Sequence, residues 1–151
     1  MIKFEKVSNA ENNSELKLPE RSTSFAAGYD FYNPEEVEIQ PNQIKYVKTG
    51  IKAIFPKNNM LMLCNRSSNP KKKGLVLVNG VGIVDADYYN NPDNEGEIAF
   101  AFMNITAEPI VLAPGEKLGQ GIFIKFDKTD EDTLCINPTN TRVGGFGSTG
   151  V

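Results

Sequence analysis

The 151-residue sequence contains no histidine. Without imidazole, the chain cannot form a Ser-His-Asp triad, a Cys-His pair or a zinc site with histidine ligands. Its two cysteines, Cys64 and Cys135, are too few for a four-cysteine metal site. Each lies in an apolar run, so we expect both thiols to be buried, reduced and unreactive. Acid–base chemistry must therefore depend on carboxylates rather than histidine.

The sequence also lacks an excess of basic residues. The formal net charge is −3, whereas a duplex-binding domain normally carries a basic surplus. Stable nucleic-acid binding is therefore not expected, and any basic site must be local. No apolar run approaches the length that spans a bilayer, and the first residues lack the apolar core of a signal peptide. We expect a cytoplasmic protein that does not associate with membranes.

Amphipathic helical runs of useful length are absent as well. Thirteen glycines and nine prolines punctuate short runs rich in valine and isoleucine, which is typical of an all-β protein. About ten short strands with frequent turn signals predict a β-barrel or a jelly-roll-like sandwich. There is no internal repeat, and the length fits a single domain.

Three details of the strand pattern predict local features of the fold. Residues 37–40 and 44–47 alternate apolar with polar on either side of a Pro-Asn pair, which predicts a hairpin. Residues 60–64 are nearly all apolar, which indicates a strand covered on both faces. Gly119 and Gly121 interrupt the last long strand, so we expect a bulge or a close backbone contact there.

Polar residues gather in the segment 78–88, where two apolar runs meet glycines, two carboxylates and a tyrosine. If this segment is extended, Asp85 and Asp87 lie on one face of a strand. A third acid, Asp30, follows small residues that lead into a tight bend. Its local context alone is that of a solvated residue at a strand edge.

Arg66, Ser67 and Ser68 emerge where the apolar run of residues 60–64 ends. Arginine and hydroxyl groups beside a turn suit phosphate binding, although a turn capped by serines is the simpler interpretation. The three lysines at 71–73 form a solvated charge run or one exposed helical turn, and they could raise the local potential for an anion. The glycine-rich residues 139–151 are expected to be mobile, yet they carry an arginine, a phenylalanine and hydroxyls suited to phosphates and a base.

Five segments, in order, resemble the five motifs of the trimeric dUTPase family. They are residues 27–31 (Ala-Gly-Tyr-Asp-Phe), 66–68 (Arg-Ser-Ser), 79–88, 115–120 (Gly-Glu-Lys-Leu-Gly-Gln) and 142–150. The resemblance implies a distorted jelly-roll or β-barrel-like core, residues 1–138, and a mobile arm, residues 139–151, that closes over the active site. It also implies a homotrimer with three active sites at its subunit interfaces.

The resemblance further implies the reaction. Magnesium-assisted attack of water on the α-phosphorus converts dUTP to dUMP and pyrophosphate, which limits uracil incorporation into DNA and supplies dUMP for dTMP synthesis. Asp85 is then the general base, and a carboxylate base is natural in a chain without histidine. Asn79, with the backbone of the hairpin at 79–88 that includes Gly82 and Val84, reads uracil. Tyr88 packs under the deoxyribose, and Asp87 is either catalytic or structural.

By the same resemblance, the phosphate chain is contacted by Arg66, Ser67, Ser68 and Gln120. Asp30 holds a magnesium ion through a bound water, while phosphate oxygens grip the ion directly. In the arm, Phe146 stacks on uracil, and the terminal phosphates meet Arg142, Gly147, Ser148 and Thr149.

The sequence departs from the family pattern at three places. The loop of residues 89–95, from Tyr89 to Glu95, separates Tyr88 from the Gly96-Glu97 pair that usually follows almost directly. Lys117 and Gly119 replace a common arginine and alanine, and Val143 replaces a common glycine. None of these changes removes a residue assigned to the chemistry, but the longer loop could alter access to the site.

Two other functions are consistent with the sequence. One is a dCTP deaminase-like enzyme of the same fold, although the segment at Asp85 and the arm with Phe146 fit the hydrolase better. The other is a regulatory module that binds a partner protein through residues 89–95. This binding role could coexist with hydrolysis.

Overall fold

The computed structural model describes residues 1–134, and these are mostly β-strand, as predicted. The described part forms two short helices, Asn69–Lys73 (α1) and Asp130–Leu134 (α2), and two 3₁₀ turns, Ser8–Ala10 and Ala86–Tyr88. Its strands are Lys3–Lys6 (β1), Tyr29–Tyr32 (β2), Val37–Ile39 (β3), Ile44–Lys48 (β4), Ile51–Ile54 (β5), Asn59–Asn65 (β6), Leu75–Leu77 (β7), Val81–Val84 (β8), Ala99–Asn104 (β9), Ile110–Leu112 (β10) and Lys117–Lys125 (β11).

The strands of the described residues pair antiparallel in four small sheets. The largest has the order β2-β11-β6-β8, and a second has the order β4-β9-β7. Two further pairs, β1-β5 and β10-β3, complete the structure. Many short antiparallel strands with crossing connections are characteristic of a jelly-roll-like fold, which confirms the predicted class. Neither helix is long and apolar enough to cross a membrane.

Phenylalanine rings tie the two larger sheets together. Phe31 of β2 and Phe100 and Phe102 of β9 are fully buried. The ring centroids of Phe31 and Phe100 lie 5.6 Å apart edge to face, and those of Phe100 and Phe102 lie 5.7 Å apart in a stack. Such pairs add roughly 0.5–1.5 kcal/mol each beyond the area they bury. This cluster therefore fixes the four-stranded sheet against the three-stranded one.

The predicted hairpin of residues 37–40 and 44–47 is wrong. Strand β3 pairs with β10, and β4 pairs with β9, so the chain turns a corner between sheets. The corner is stabilised by Asn42, in a left-handed conformation with φ of 60°, whose N–H donates to the Asn104 carbonyl at 2.8 Å. The buried Asn104 side chain also donates to the carbonyls of Ile39 and Glu108, at 2.9 and 2.7 Å.

The prediction that residues 60–64 are covered on both faces is also wrong for the single chain. Leu61 and Leu63 are buried, whereas their alternating neighbours on β6 are only partly buried. Strand pairing aligns these neighbours with apolar residues of β8 and β11 on the same side of the sheet. We call this surface the outer apolar face; it consists of Met60, Met62, Cys64, Val81, Ile83, Ile122 and Ile124.

Cys64 differs from expectation in the same way, because it is half-buried and not enclosed in the core. Partial burial raises the pKa of its thiol above the ordinary value, which disfavours the reactive thiolate. The expected lack of reactivity therefore has a physical basis. Cys135 lies outside the described residues.

The two glycines of β11 lie where the core packs closely against the strand. A Cβ at Gly119 would lie 2.3 Å from the Phe100 ring, and one at Gly121 would lie 2.8 Å from the Phe31 ring. The register between β11 and β2 also shifts between Lys117 and Gln120. The predicted bulge and close contact are thus both confirmed, and the core rings occupy the space that side chains here would need.

Candidate active site

A cavity of about 240 Å³ lies between β8 and the sheet formed by β4 and β9. Four residues singled out from the sequence line it: Asn79, Gly82, Val84 and Tyr88. Its remaining wall consists of Tyr46, Leu63, Ile83, Glu97, Ile98, Ala99 and Ala101. One concave site therefore contains the nucleoside-reading residues expected from the sequence.

The turn before β8 places Asn79 at the cavity. Gly80 adopts φ of 70°, its N–H donates to the Leu77 carbonyl at 3.1 Å, and the Val81 N–H donates to the Asn79 carbonyl at 2.8 Å. Glycine is favoured at such a left-handed position because it has no Cβ. At Gly82, an added Cβ would lie 3.2 Å from the Leu63 side chain, so β8 packs closely on β6.

The segment 79–88 is not a hairpin, and Asp85 and Asp87 do not share one face of a strand. Strand β7 pairs with β9 and β8 pairs with β6, so the two flanking strands belong to different sheets. After Val84 the chain enters the 3₁₀ turn Ala86–Tyr88, with Asp85 as its N-cap. Both acids are exposed and separated by a turning backbone.

Tyr88 is buried, with 6% of its surface exposed, yet it lines the cavity. Its hydroxyl donates to the Glu97 carbonyl at 3.2 Å and accepts a hydrogen bond from Asn94 Nδ2 at 2.6 Å. A tyrosine hydroxyl offers one donor and two acceptor positions. The ring is thus fixed at its base by burial and at its tip by two hydrogen bonds.

Sequence reasoning missed the wall of the cavity formed by β4 and β9. Tyr46 of β4 pairs with Ala101 of β9, and Ala99 lies two residues before Ala101 on β9. A signal for this wall was available: in residues 99–102, alanines alternate with phenylalanines. The small side chains leave space on one side of β9, while the phenylalanines fill the core on the other.

A second group of predicted residues lies across the rest of the four-stranded sheet, on β2, on β11 and directly after β6. Gln120 on β11 is paired with Asp30 on β2, and a Cβ at Gly28 would lie 2.3 Å from Gln120 Oε1. Arg66 follows β6 and contributes to the electrostatic environment of Asp30. Ser67 is exposed and Ser68 is half-exposed in the turn that leads to α1.

The alternative of a serine-capped turn is not supported, because neither the N-cap Ser68 nor another side chain caps α1 through a hydrogen bond. The lysines at 71–73 form the last turn of α1, which confirms the expected helical turn. Lys73 is only partly exposed, and its Nζ forms an ion pair with Glu116 Oε1 at 2.5 Å.

Asp30 is not the solvated edge residue that its local sequence suggests. Its Oδ2 accepts hydrogen bonds from Lys117 Nζ at 2.6 Å and from Ser22 Oγ at 2.5 Å. Partial burial, the largest single influence, raises the pKa of Asp30, but the two hydrogen bonds together with the positive charges of Lys117 and Arg66 outweigh burial and hold the pKa below its ordinary value. The carboxylate is therefore charged at neutral pH and already partnered by a cation.

Asp30 is separated from β8 by the width of the sheet. Val81, Cys64, Gln120 and Asp30 form one row across β8, β6, β11 and β2. Three strand spacings correspond to about 14 Å. Within one chain, β8 beside the cavity and Asp30 therefore lie on different edges, and Gln120 lies on a strand between them.

A family model described as dUTPase matches residues 14–150.

The chain belongs to the dUTPase family.

Two close comparisons agree with this membership. The deoxyuridine 5′-triphosphate nucleotidohydrolase of Lactococcus lactis is 46% identical over 147 residues, which cover 97% of this chain and 96% of the relative. The crystal structure of dUTPase from Streptococcus mutans superposes with a TM-score of 0.81 at 46% identity and covers 84% of this chain and 98% of that one. These named dUTPases do not favour the deaminase alternative.

A more distant dUTPase shares the fold. The structure of a mutant dUTPase from phage phi11 of S. aureus, described with a structural Mg(II) ion, superposes with a TM-score of 0.70 at 19% identity. It covers 86% of this chain and 94% of the phage protein. The residues predicted in the arm, namely Arg142, Phe146, Gly147, Ser148 and Thr149, lie outside the described part of this dUTPase family member.

Proposed function

We propose that the chain hydrolyses dUTP to dUMP and pyrophosphate, with Asp85 as the general base. The observation that carries the proposal is the cavity, whose wall includes Asn79, Gly82, Val84 and Tyr88. The exposed Asp85 lies in sequence between Val84 and Tyr88. Membership of the dUTPase family and the names of the curated relatives support the same reaction.

In the proposed mechanism, Asp85 accepts a proton from a water molecule that attacks the α-phosphorus. The bond from phosphorus to the bridging oxygen breaks, and pyrophosphate leaves with that oxygen. Asp85 directly follows Val84 of the cavity wall, and its exposed carboxylate has access to water. Its backbone is fixed by the Tyr88 N–H, which donates to the Asp85 carbonyl at 3.1 Å. Catalysis by a positioned base typically contributes about 10²- to 10⁴-fold in rate.

The cavity selects the nucleoside. Backbone groups around Asn79 and Gly82 face uracil, whose pattern of donors and acceptors differs from that of cytosine, and Val84 contributes an apolar wall. The Tyr88 ring lies under the sugar, where its fixed position leaves no room for a 2′-hydroxyl. Glu97, Ala99 and Ala101 complete the opposite wall.

The second group of residues binds the phosphate chain. Arg66 supplies a guanidinium fork, Ser67 and Ser68 supply hydroxyls, and Gln120 supplies an amide. The arm, residues 139–151 beyond the core of residues 1–138, closes over the site. There Phe146 stacks on uracil and the terminal phosphates meet Arg142, Gly147, Ser148 and Thr149.

The residues present fit a magnesium ion held mainly by the nucleotide. The described residues include no group of three or more acidic or cysteine side chains able to hold a metal ion. Asp30 presents a charged carboxylate whose two hydrogen bonds both go to Oδ2, so Oδ1 can accept a hydrogen bond from a metal-bound water. The ion would neutralise phosphate charge, as Mg²⁺ commonly does while keeping part of its hydration.

The proposed active form is a homotrimer with sites at subunit interfaces. Strand β8 beside the cavity and Asp30 on β2 lie about 14 Å apart across the sheet of one chain, so a neighbouring subunit can supply the carboxylate and phosphate-binding residues of a site. The outer apolar face offers a surface for such a neighbour, because large contiguous apolar patches on folded chains mark interaction sites. We place the enzyme in the cytoplasm, with a soluble nucleotide as its substrate and no stable nucleic-acid partner.

One assay tests the reaction directly. Pyrophosphate release is measured side by side from dUTP, dCTP, dTTP and UTP in the presence of magnesium. Release from dUTP at a rate far above the other three is expected. Ammonia release from dCTP would assign the deaminase reaction instead, and the absence of turnover with all four nucleotides would contradict the hydrolase.

A further inference from the structure

The loop of residues 89–95, which separates Tyr88 from Gly96, is fastened to the rest of the chain at both ends. Tyr89 Oη donates to Glu5 Oε2 at 2.6 Å. The Glu95 carboxylate accepts hydrogen bonds from Ser8 Oγ at 2.9 Å and from Lys52 Nζ at 3.1 Å. The loop is therefore attached to β1, to the 3₁₀ turn Ser8–Ala10 and to β5.

Within this loop, the Asn94 side chain connects the backbone to Tyr88. Its Oδ1 accepts a hydrogen bond from the Gly96 N–H at 3.0 Å, and its Nδ2 donates to Tyr88 Oη at 2.6 Å. The backbone N–H can only donate, so it fixes which end of the amide faces it. The other end, the NH₂ group, must then point at the tyrosine hydroxyl.

The Tyr88 hydroxyl is accordingly held in a defined direction. Because it accepts from Asn94, its own proton is directed to the Glu97 carbonyl, 3.2 Å away. The loop also passes against the Tyr88 backbone: Gly96 has φ of 78°, and a Cβ there would lie 2.2 Å from the Tyr88 carbonyl oxygen. Both the backbone and the ring tip of Tyr88 are thus positioned by the loop.

We propose that Asn94 is a positioning residue that holds the Tyr88 ring at the depth required to exclude ribonucleotides. This inference rests on the proposed function, in which the ring lies under the deoxyribose. Steric exclusion of a 2′-hydroxyl requires that the Tyr88 ring keeps its position. If the hydrogen bonds of its hydroxyl group are lost, the ring can tilt and make room for a ribose. The longer loop therefore contributes to sugar selection through one amide, without contacting the substrate.

The first test compares three variants by kcat/KM for dUTP and for UTP. Asn94→Leu keeps the size of the side chain and removes both hydrogen bonds, so the dUTP/UTP ratio should fall roughly tenfold, with kcat for dUTP changed by less than about twofold. Asn94→Asp can still accept from Gly96, and Tyr88 can donate to it in place of the Glu97 carbonyl, so one hydrogen bond at the ring tip remains and the ratio should fall by no more than about threefold. Asp93→Asn, an exposed neighbour in the same loop, is the matched control and should match the wild type.

A second test separates positioning from general structural support. Tyr88→Phe removes the hydroxyl, so it should lower the ratio by itself, and adding Asn94→Leu should then change the ratio no further. Equal effects of Asn94→Leu in both backgrounds would show that Asn94 does not act through the hydroxyl. An unchanged ratio in Tyr88→Phe would overturn the proposal even if Asn94→Leu failed to fold.

Binding measurements keep this inference distinct from the proposed reaction. Calorimetric titration with dUMP and with UMP should show preference for dUMP in the wild type and a loss of that preference in Asn94→Leu. Preferential dUMP binding without turnover of dUTP would reject the hydrolase while leaving the role of Asn94 supported. Equal preference for dUMP in the wild type and Asn94→Leu would reject the role of Asn94.

Discussion

At the scale of single residues, the proposed reactive groups are exposed side chains flanked by buried ones. Asp85 follows the buried Val84 and begins the turn that ends at the buried Tyr88. The buried neighbours fix the backbone on both sides, so the carboxylate is presented to solvent from a rigid support. This is the arrangement expected of a base that must meet a water molecule and a phosphate together.

Replacing the base should separate turnover from binding. Asp85→Asn preserves size and polarity but cannot accept a proton, so kcat for dUTP should fall roughly 10³-fold while substrate affinity changes only a few-fold. Steady-state kinetics and titration with a non-hydrolysable dUTP analogue measure the two quantities. The control is Asp87→Asn, also exposed and two residues away, which should keep kcat within about tenfold. Near-normal turnover in Asp85→Asn would reject the assignment.

Motif residues were predictable from the sequence to different degrees. Asn79, Gly82, Val84 and Tyr88 were placed together correctly, because they lie within one short segment. Asn94 was not predicted to have a role, since its partner is a hydroxyl whose orientation no sequence pattern encodes. Tyr46 was missed for a similar reason, because strand pairing with a distant segment brings it to the cavity.

At the scale of elements, the errors come from pairing rather than from strand identification. Residues 37–39 and 44–48 are strands, as their alternation predicts, but they pair with β10 and β9. Alternation determines which side chains point inward, and it does not determine the partner. By contrast, Gly119 and Gly121 were interpreted correctly, since a glycine inside a strand usually marks a bulge or a close approach.

The ion pair that links β11 to β2 makes stability depend on pH in a definite direction. The pKa of Asp30 is lowered in the folded chain, so the ionised carboxylate favours folding. Its contribution is complete above the ordinary carboxyl pKa of about 4 and is lost as the pH falls through the lowered value. Lys117→Met should therefore lower the stability at pH 7 by about 1 kcal/mol.

This difference between wild type and Lys117→Met should shrink as the pH is lowered below about 4. Thermal unfolding of both proteins over a pH series gives the measurement. Lys125→Met is the control, since Lys125 lies at the other end of β11 and forms no ion pair with another described residue. A difference that is constant across the series would show that the Asp30–Lys117 pair is not its source.

At the scale of the whole molecule, the outer apolar face and the divided site have the same explanation. In the proposed homotrimer, Asp30 at one edge of the sheet and the cavity at the other belong to different sites, so each site needs residues from a second copy of the chain. The surface between those edges is apolar instead of charged. Nothing in the local sequence distinguishes a strand buried in its own domain from one buried by a second subunit, which is why residues 60–64 were predicted to be covered on both faces.

A charge placed in the centre of this face should dissociate the assembly. Met62 is flanked by Ile83 and Ile122 on neighbouring strands, so Met62→Glu would bury a carboxylate without a partner. Sedimentation should show a trimer for the wild type and a monomer for the variant, with activity lost and the β-type circular dichroism retained. Val111→Glu, at an apolar position 52% exposed and outside the face, is the control and should remain trimeric. A trimeric, active Met62→Glu would contradict the proposed interface.

The position of β11 also has a consequence for how the chain folds during synthesis. Strand β11 lies between β2 and β6, so residues 29–32 find their sheet partner only after residues 117–121 have been made. Until then, β2 is not held beside the phenylalanines of β9, and one edge of β6 has no partner strand. Contacts so distant in sequence slow folding, and exposed apolar strands favour aggregation. We therefore expect nascent chains that stop before β11 to be retained by chaperones, and the native core to form only near the end of translation.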